Sequence, residues 1–175
     1  VKIRRPDVAP PGTYFLGVDI ARMGEDESVF CIINRVTRDN LVHIENIITT
    51  KTLTTETEQK ILDLEKLYKF KKIYIDAGSG SLGVGIFDHL LENQATKNKV
   101  VAINNRDRPY DVSESKKGKI LKEDLYYNLR MLMEQGKILI LNDDEIIESL
   151  KSVQWEYLIM ANKPTKLRIF GNYTH

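Results

Sequence analysis

Two aspartates each close a short apolar run and open into a polar turn. Phe15-Leu16-Gly17-Val18-Asp19 runs into Arg22-Met23-Gly24-Glu25-Asp26, and Lys72-Ile73-Tyr74-Ile75-Asp76 into Ala77-Gly78-Ser79-Gly80. Apolar runs of this length read as buried strands. If both lie in one sheet, Asp19 and Asp76 could meet at one edge and hold divalent metal between them, the arrangement a phosphodiester-cutting site needs. A single aspartate after a strand is usually a turn or cap residue, but two in equivalent settings shift the balance toward chemistry. Gly17 would allow close backbone approach, and Gly78 and Gly80 would leave room for a phosphate-bearing substrate.

Other candidates are weaker. The glycine-rich stretch Gly78 to Gly85 has no GxxxxGK[ST] pattern, and no lysine occurs between Lys72 and Lys97, so a nucleotide-binding loop is not supported. Arg106, Arg108, Lys116, Lys117, Lys119, Lys122 and Arg130 form a basic segment in which Lys119, Lys122 and Tyr126 share a helical face. Such a face is commonly just solvated, but beside a metal site it would neutralise phosphate charge. A third carboxylate could come from Asp143 or Asp144, although Asn142-Asp143-Asp144-Glu145 also reads as a helix cap. His43 and His89 read as surface or packing residues with nothing to pair them, so a serine or cysteine triad has no support.

These residues need elements to position them. Tyr14 to Ile20, Ser28 to Val36 and Leu41 to Thr49 are consistent with a three-strand antiparallel meander whose second turn is Thr37-Arg38-Asp39-Asn40. Helical spacing predicts a helix over Thr54 to Phe70 capped by Thr54 or Thr55, and a second over Leu82 to Asn93. Ile73 to Asp76 and Val100 to Ile103 flank the second helix as a parallel crossover. A long helix follows over Ser113 to Gln135, with Leu121, Leu125, Leu129 and Leu132 on one stripe and Gly136 closing it. Ile138 to Leu141, a short helix from Asp144 to Val153 and strands at Trp155 to Met160 and Leu167 to Phe170 complete an α/β domain with a mixed sheet.

The 175 residues and 42% apolar content suit one core, placed at residues 13–175 after a proline-rich linker end at 1–12. Net charge is +1, so any nucleic-acid affinity must be local. No apolar run approaches the roughly 18 residues of a membrane span, and the N-terminus lacks a signal-peptide core, so a soluble intracellular location without membrane partners is expected. The single cysteine, Cys31, excludes an internal disulfide and a cysteine-based zinc site, and reads as a small buried hydrophobe.

Taken together, Gly17-Val18-Asp19-Ile20-Ala21 with Gly24-Glu25-Asp26-Glu27-Ser28, Tyr74-Ile75-Asp76-Ala77-Gly78-Ser79-Gly80, Lys122-Glu123-Asp124-Leu125-Tyr126-Tyr127-Asn128-Leu129 and Gly136-Lys137-Ile138 resemble the C-terminal nuclease domain of phage and viral terminase large subunits. The resemblance runs over nearly the whole chain. It implies a ribonuclease H-like fold, with the meander followed by parallel strands and flanked by helices. It also implies an endonuclease using two Mg²⁺ or Mn²⁺ ions to cut concatemeric double-stranded DNA in the cytoplasm of an infected host. Asp19 then corresponds to the first catalytic acid, Asp76 to the second, and Lys122 to a basic residue near the active site. The third acid departs from the pattern: the family's follows a histidine after the last strand, and Gly171-Asn172-Tyr173-Thr174-His175 resembles that approach cut short, with a C-terminal helix missing. The family's partners are an N-terminal packaging ATPase, a portal and a small terminase subunit; without a Walker A motif this chain is expected to cut and not to translocate. A junction resolvase on the same fold, a portal- or capsid-docking module and an actin-like kinase are the rival readings, the last disfavoured by length.

Overall fold

A computed structural model describes residues 10–20, 27–77, 83–109, 120–158 and 166–171. Strict alternation shapes β1 (Thr13–Asp19): Tyr14, Leu16 and Val18 are buried, while Thr13, Phe15, Gly17 and Asp19 take the opposite face. β2 (Glu27–Arg35) alternates in the same way, and β3 (Leu41–Thr50) pairs beside it. The three strands form the expected antiparallel meander. The second turn closes where Val36 N–H donates to Asn40 O at 3.0 Å.

Helix α1 (Thr54–Tyr68) buries Ile61, Leu64 and Tyr68. Its cap is neither Thr54 nor Thr55. The extended residue before it is Leu53, whose N–H donates to Glu56 Oε2 at 2.8 Å, while Thr57 Oγ1 donates to Leu53 O at 3.2 Å. Leucine has no acceptor to offer an amide, so the glutamate does the side-chain capping alone. The helix stops two residues short of Phe70 because Lys69 turns left-handed, with φ 52°.

β4 (Lys72–Asp76), α2 (Gly83–Glu92) and β5 (Val100–Ile103) make the parallel crossover, with β4 also parallel to β1. β6 (Ile138–Leu139) lies parallel to β3 at the other edge. The sheet order is therefore β5-β4-β1-β2-β3-β6, an antiparallel centre with parallel strands outside it. Ile61 and Leu64 of α1 and Ile86 and Leu90 of α2 share one core with Leu16, Phe30, Ile73 and Ile75, so one face of the sheet is sealed by helices. Tyr14 Oη donates to Pro10 O at 2.6 Å and Asn34 Nδ2 to Pro11 O at 3.3 Å. Between those prolines and β1, Gly12 has φ 151°, and a Cβ there would overlap the Asn34 amide, so only glycine fits.

The chain gathers into two compact units. One holds the six-stranded sheet with α1 and α2. The other holds α3 (Leu121–Glu134), α4 (Asp144–Lys151) and a separate antiparallel hairpin, β7 (Val153–Leu158) with β8 (Lys166–Gly171). Helix α3 opens at Leu121, because Ile120 is extended, with φ −104° and ψ 158°, and its N–H donates to Glu123 Oε2 at 3.3 Å; the expected start at Ser113 lies outside the described residues. The leucine stripe is buried only at its first member. Leu121, Glu123 and Asp124 are buried, whereas Leu125 is 40% exposed.

Candidate metal centre

Strand register brings the two aspartates together. β1 and β4 are parallel neighbours, with Gly17 opposite Tyr74 and Val18 opposite Ile75, so Asp19 and Asp76 are the next positions along. Val18 and Ile75 both point into the helix-covered core, which sends Asp19 and Asp76 to the other face. Neighbouring strands lie about 4.7–4.9 Å apart, within the span that one cation can bridge. Burial alternation and parallel pairing thus produce a carboxylate pair from residues distant in sequence.

The electrostatics of the pair favour a cation. Partial desolvation at the sheet end holds the Asp19 carboxyl above the ordinary carboxylate range, and the Asp76 charge pushes it further the same way. A divalent ion would relieve both effects, and an all-oxygen donor set suits hard ions such as Mg²⁺ or Mn²⁺. Among the described residues no group of three His, Cys, Asp or Glu side chains is placed to hold a metal.

The other candidates divide clearly. Asp143 is the N-cap of α4, where Oδ1 accepts from Glu145 N–H at 3.0 Å and Ile146 N–H at 3.2 Å, and Asp144 is exposed in the first turn. The acidic segment after β6 is thus accounted for as a cap. Asp26, Gly78, Gly80, Lys116, Lys119 and His175 lie outside the described residues. Arg106 and Arg108 are exposed in and after the turn at 105–107, and the first turn of α3 is tied to it: Leu121 N–H donates to Asp107 O at 2.7 Å and Lys122 N–H to Asn105 O at 3.1 Å. Arg106, Arg108 and Lys122 therefore belong to one hydrogen-bonded corner. The Lys122 ammonium lies 6.0 Å from the Tyr126 ring centroid, as their shared helical face requires.

Both described histidines have partners. His89 Nδ1 lies 3.0 Å from Glu58 Oε2. His43, buried in β3, has Nε2 at 3.5 Å from Cys31 Sγ and at 2.8 Å from Asn46 Oδ1. The strand pairing of β2 with β3 creates this cluster, which no spacing in the sequence announces. It is not a triad, because thiol and amide address the same ring nitrogen where a triad needs one on each. Burial also pushes the Cys31 thiol up to about 11, keeping it protonated and unreactive at neutral pH.

No protein-family model matches the sequence, and no curated protein gives a significant sequence match. Solved structures do match. The large terminase nuclease of the thermophilic phage G20c superposes with a TM-score of 0.66 at 21% identity, over 97% of this chain and 82% of that one. The large terminase nuclease domain of Thermus phage P74-26 gives 0.61 at 20% identity, over 95% and 74%. The large terminase of a further thermophilic bacteriophage, in complex with ATP-gamma-S, gives 0.59 at 16% identity, over 87% of this chain but 35% of that one. The G20c nuclease is also known with bound magnesium, cobalt and zinc. With its mixed six-stranded sheet and helices, the chain has the ribonuclease H-like fold of phage large-terminase nuclease domains.

Proposed function

We propose that this chain is the metal-dependent endonuclease domain of a phage large terminase and cuts concatemeric double-stranded DNA with little sequence preference. The observation that carries the reading is the Asp19–Asp76 pair, set side by side at the ends of two parallel strands in this fold. Asp19, pressed by its neighbour's charge, would be the ligand shared by two Mg²⁺ or Mn²⁺ ions, with Asp76 holding one of them. When bound, such ions supply Lewis acidity and charge neutralisation for phosphodiester hydrolysis. In the reaction a water oxygen bonds to phosphorus as the P–O3′ bond breaks, and the water's protons end on solvent and on the departing hydroxyl.

Arg106, Arg108 and Lys122 would contact DNA phosphates, which fixes register without reading sequence. The chain shows no recognition-helix signature, so weak sequence preference follows. An N-terminal packaging ATPase, a portal and a small terminase subunit would be the partners of the whole protein, in the host cytoplasm. No helix among the described residues is long and apolar enough to cross a membrane.

The test is supercoiled-plasmid cleavage in Mn²⁺ beside a panel of branched DNA substrates. Nicking and linearisation of plasmid, with no preference for junctions, is the expected result. Cleavage confined to junctions would favour a resolvase, and no cleavage with retained binding to portal or capsid protein would favour a docking module.

A further inference from the structure

Among the described residues, nothing in the backbone or packing requires the glycine at position 17 in the middle of β1. Glycine is required where φ is positive, but among the described glycines only Gly12 and Gly136 have that conformation. Glycine is also required where a side chain would collide. A Cβ built on Gly17 would meet nothing among the described residues closer than Cys31 O at 4.0 Å, an ordinary contact. A glycine inside a strand weakens it relative to alanine, by backbone entropy and lost packing. The position therefore costs stability that neither the backbone nor packing among the described residues demands.

Its place on the sheet explains the cost. Gly17 lies on the face that carries Asp19 and Asp76, two residues before Asp19 on β1 and directly beside Tyr74 of β4. On its other side it faces Cys31 of β2. The result is a gap in the row Phe15, Gly17, Asp19, walled by a phenol and a thiol and closed at one end by the carboxylate pair.

We infer that Gly17 is a clearance residue, which keeps this gap open so that the sugar–phosphate backbone of a DNA strand can seat over β1 with its scissile phosphate at Asp19 and Asp76. The inference rests on the nuclease reading. It makes Gly17 a positioning residue that touches neither metal nor reacting atoms and acts only by leaving space. Stability given up at a site for function is a common trade in natural proteins.

Gly17→Ala and Gly17→Val, compared with wild type and Asp19→Asn, test it. Four quantities are read: the melting temperature without metal, its shift with Mn²⁺, duplex affinity in Ca²⁺ by fluorescence anisotropy, and KM and kcat for cleavage in Mn²⁺. Gly17→Ala is expected to melt at or above wild type and to keep the full Mn²⁺ shift. It should bind duplex more weakly and raise KM by about tenfold, with Gly17→Val losing up to about a hundredfold in kcat/KM as the strand is displaced. A lower melting temperature for Gly17→Ala would show that the fold needs the glycine, and wild-type affinity and KM in both variants would show that no strand passes there; either overturns the inference alone. A wild-type chain that neither shifts with Mn²⁺ nor cleaves overturns the nuclease reading and the inference with it.

Discussion

Asp19 and Asp76 stand one position beyond the last paired residues of two parallel neighbours, Val18 and Ile75, on the sheet face that α1 and α2 leave uncovered. Partial burial raises the cost of ionising Asp19, and the neighbouring Asp76 charge raises it further. On the proposed reading, a divalent cation would offset the charge cost at Asp19.

The metal-free protein should therefore gain stability from Asp19→Asn at neutral pH. The sign follows from linkage: a carboxyl raised in the folded state binds its proton more tightly there than when unfolded, so ionisation disfavours the fold. Wild-type stability should fall as pH climbs from the ordinary carboxylate range through the raised one, and the variant should lack that fall. The effect is under about 1 kcal/mol, because Asp19 is open to solvent screening. Thermal melts between pH 3 and pH 7 in EDTA read it, and a variant less stable than wild type at pH 7 would contradict it.

Metal should reverse that order. At a hundredfold excess over its dissociation constant, Mn²⁺ stabilises a single site by about 2.7 kcal/mol. Wild type should show the shift, and Asp19→Asn and Asp76→Asn should lose most of it. Cleavage in either variant should drop more than about a hundredfold, since even outer partners of metal ligands cost 10–100-fold. Equal Mn²⁺ shifts in all three proteins would place the ion elsewhere.

Asp143→Ala separates capping from ligation. Loss of two accepted amide bonds should destabilise α4 by about 1 kcal/mol. The Mn²⁺ shift and cleavage should stay at wild-type values, and a lost Mn²⁺ response would restore Asp143 as a ligand.

Glu65 is a buried carboxylate that sequence reading passed over, and it anchors the strands behind the site. It lies in the last turn of α1, accepts from Phe70 N–H at 3.0 Å just before β4, and pairs with Lys99 just before β5. Glu65→Ala strands the buried amide and the ammonium together, so a loss of about 2–4 kcal/mol is expected in urea unfolding. A loss below about 1 kcal/mol would show that these strands are fixed by packing alone.

Arg106→Ala and Lys122→Ala should each weaken DNA binding uniformly across sequences. Each should also reduce the slope of log K against log salt by about 0.9, the value for one released phosphate contact. Unchanged slopes would mean that this corner faces solvent and not DNA.

Much of the sheet was legible because its signals are local. Val100–Ile103 forms over the residues expected, and the apolar runs placed Asp19 and Asp76 at the ends of two strands; that both lie on the face away from the core is seen in the burial pattern of β1 and β4. What was not legible depends on tertiary context. The leucine repeat in α3 suggests a buried stripe, but Leu125 is exposed and the carboxylates of Glu123 and Asp124 are buried, because the helix opens from an extended Ile120 and is fastened to the 105–107 turn. The Cys31–His43–Asn46 cluster exists only through β2–β3 register, which a bulge between Ile32 and Ile33 shifts. Likewise, the two late strands pair with each other as a hairpin and not with the main sheet, a choice their composition does not encode.

The most direct test of the central claim is anomalous diffraction from crystals of this chain grown with Mn²⁺. The account predicts anomalous density in contact with carboxylate oxygens of both Asp19 and Asp76. Ordered manganese at other residues, with that pair left empty in crystals that hold the ion, would contradict it.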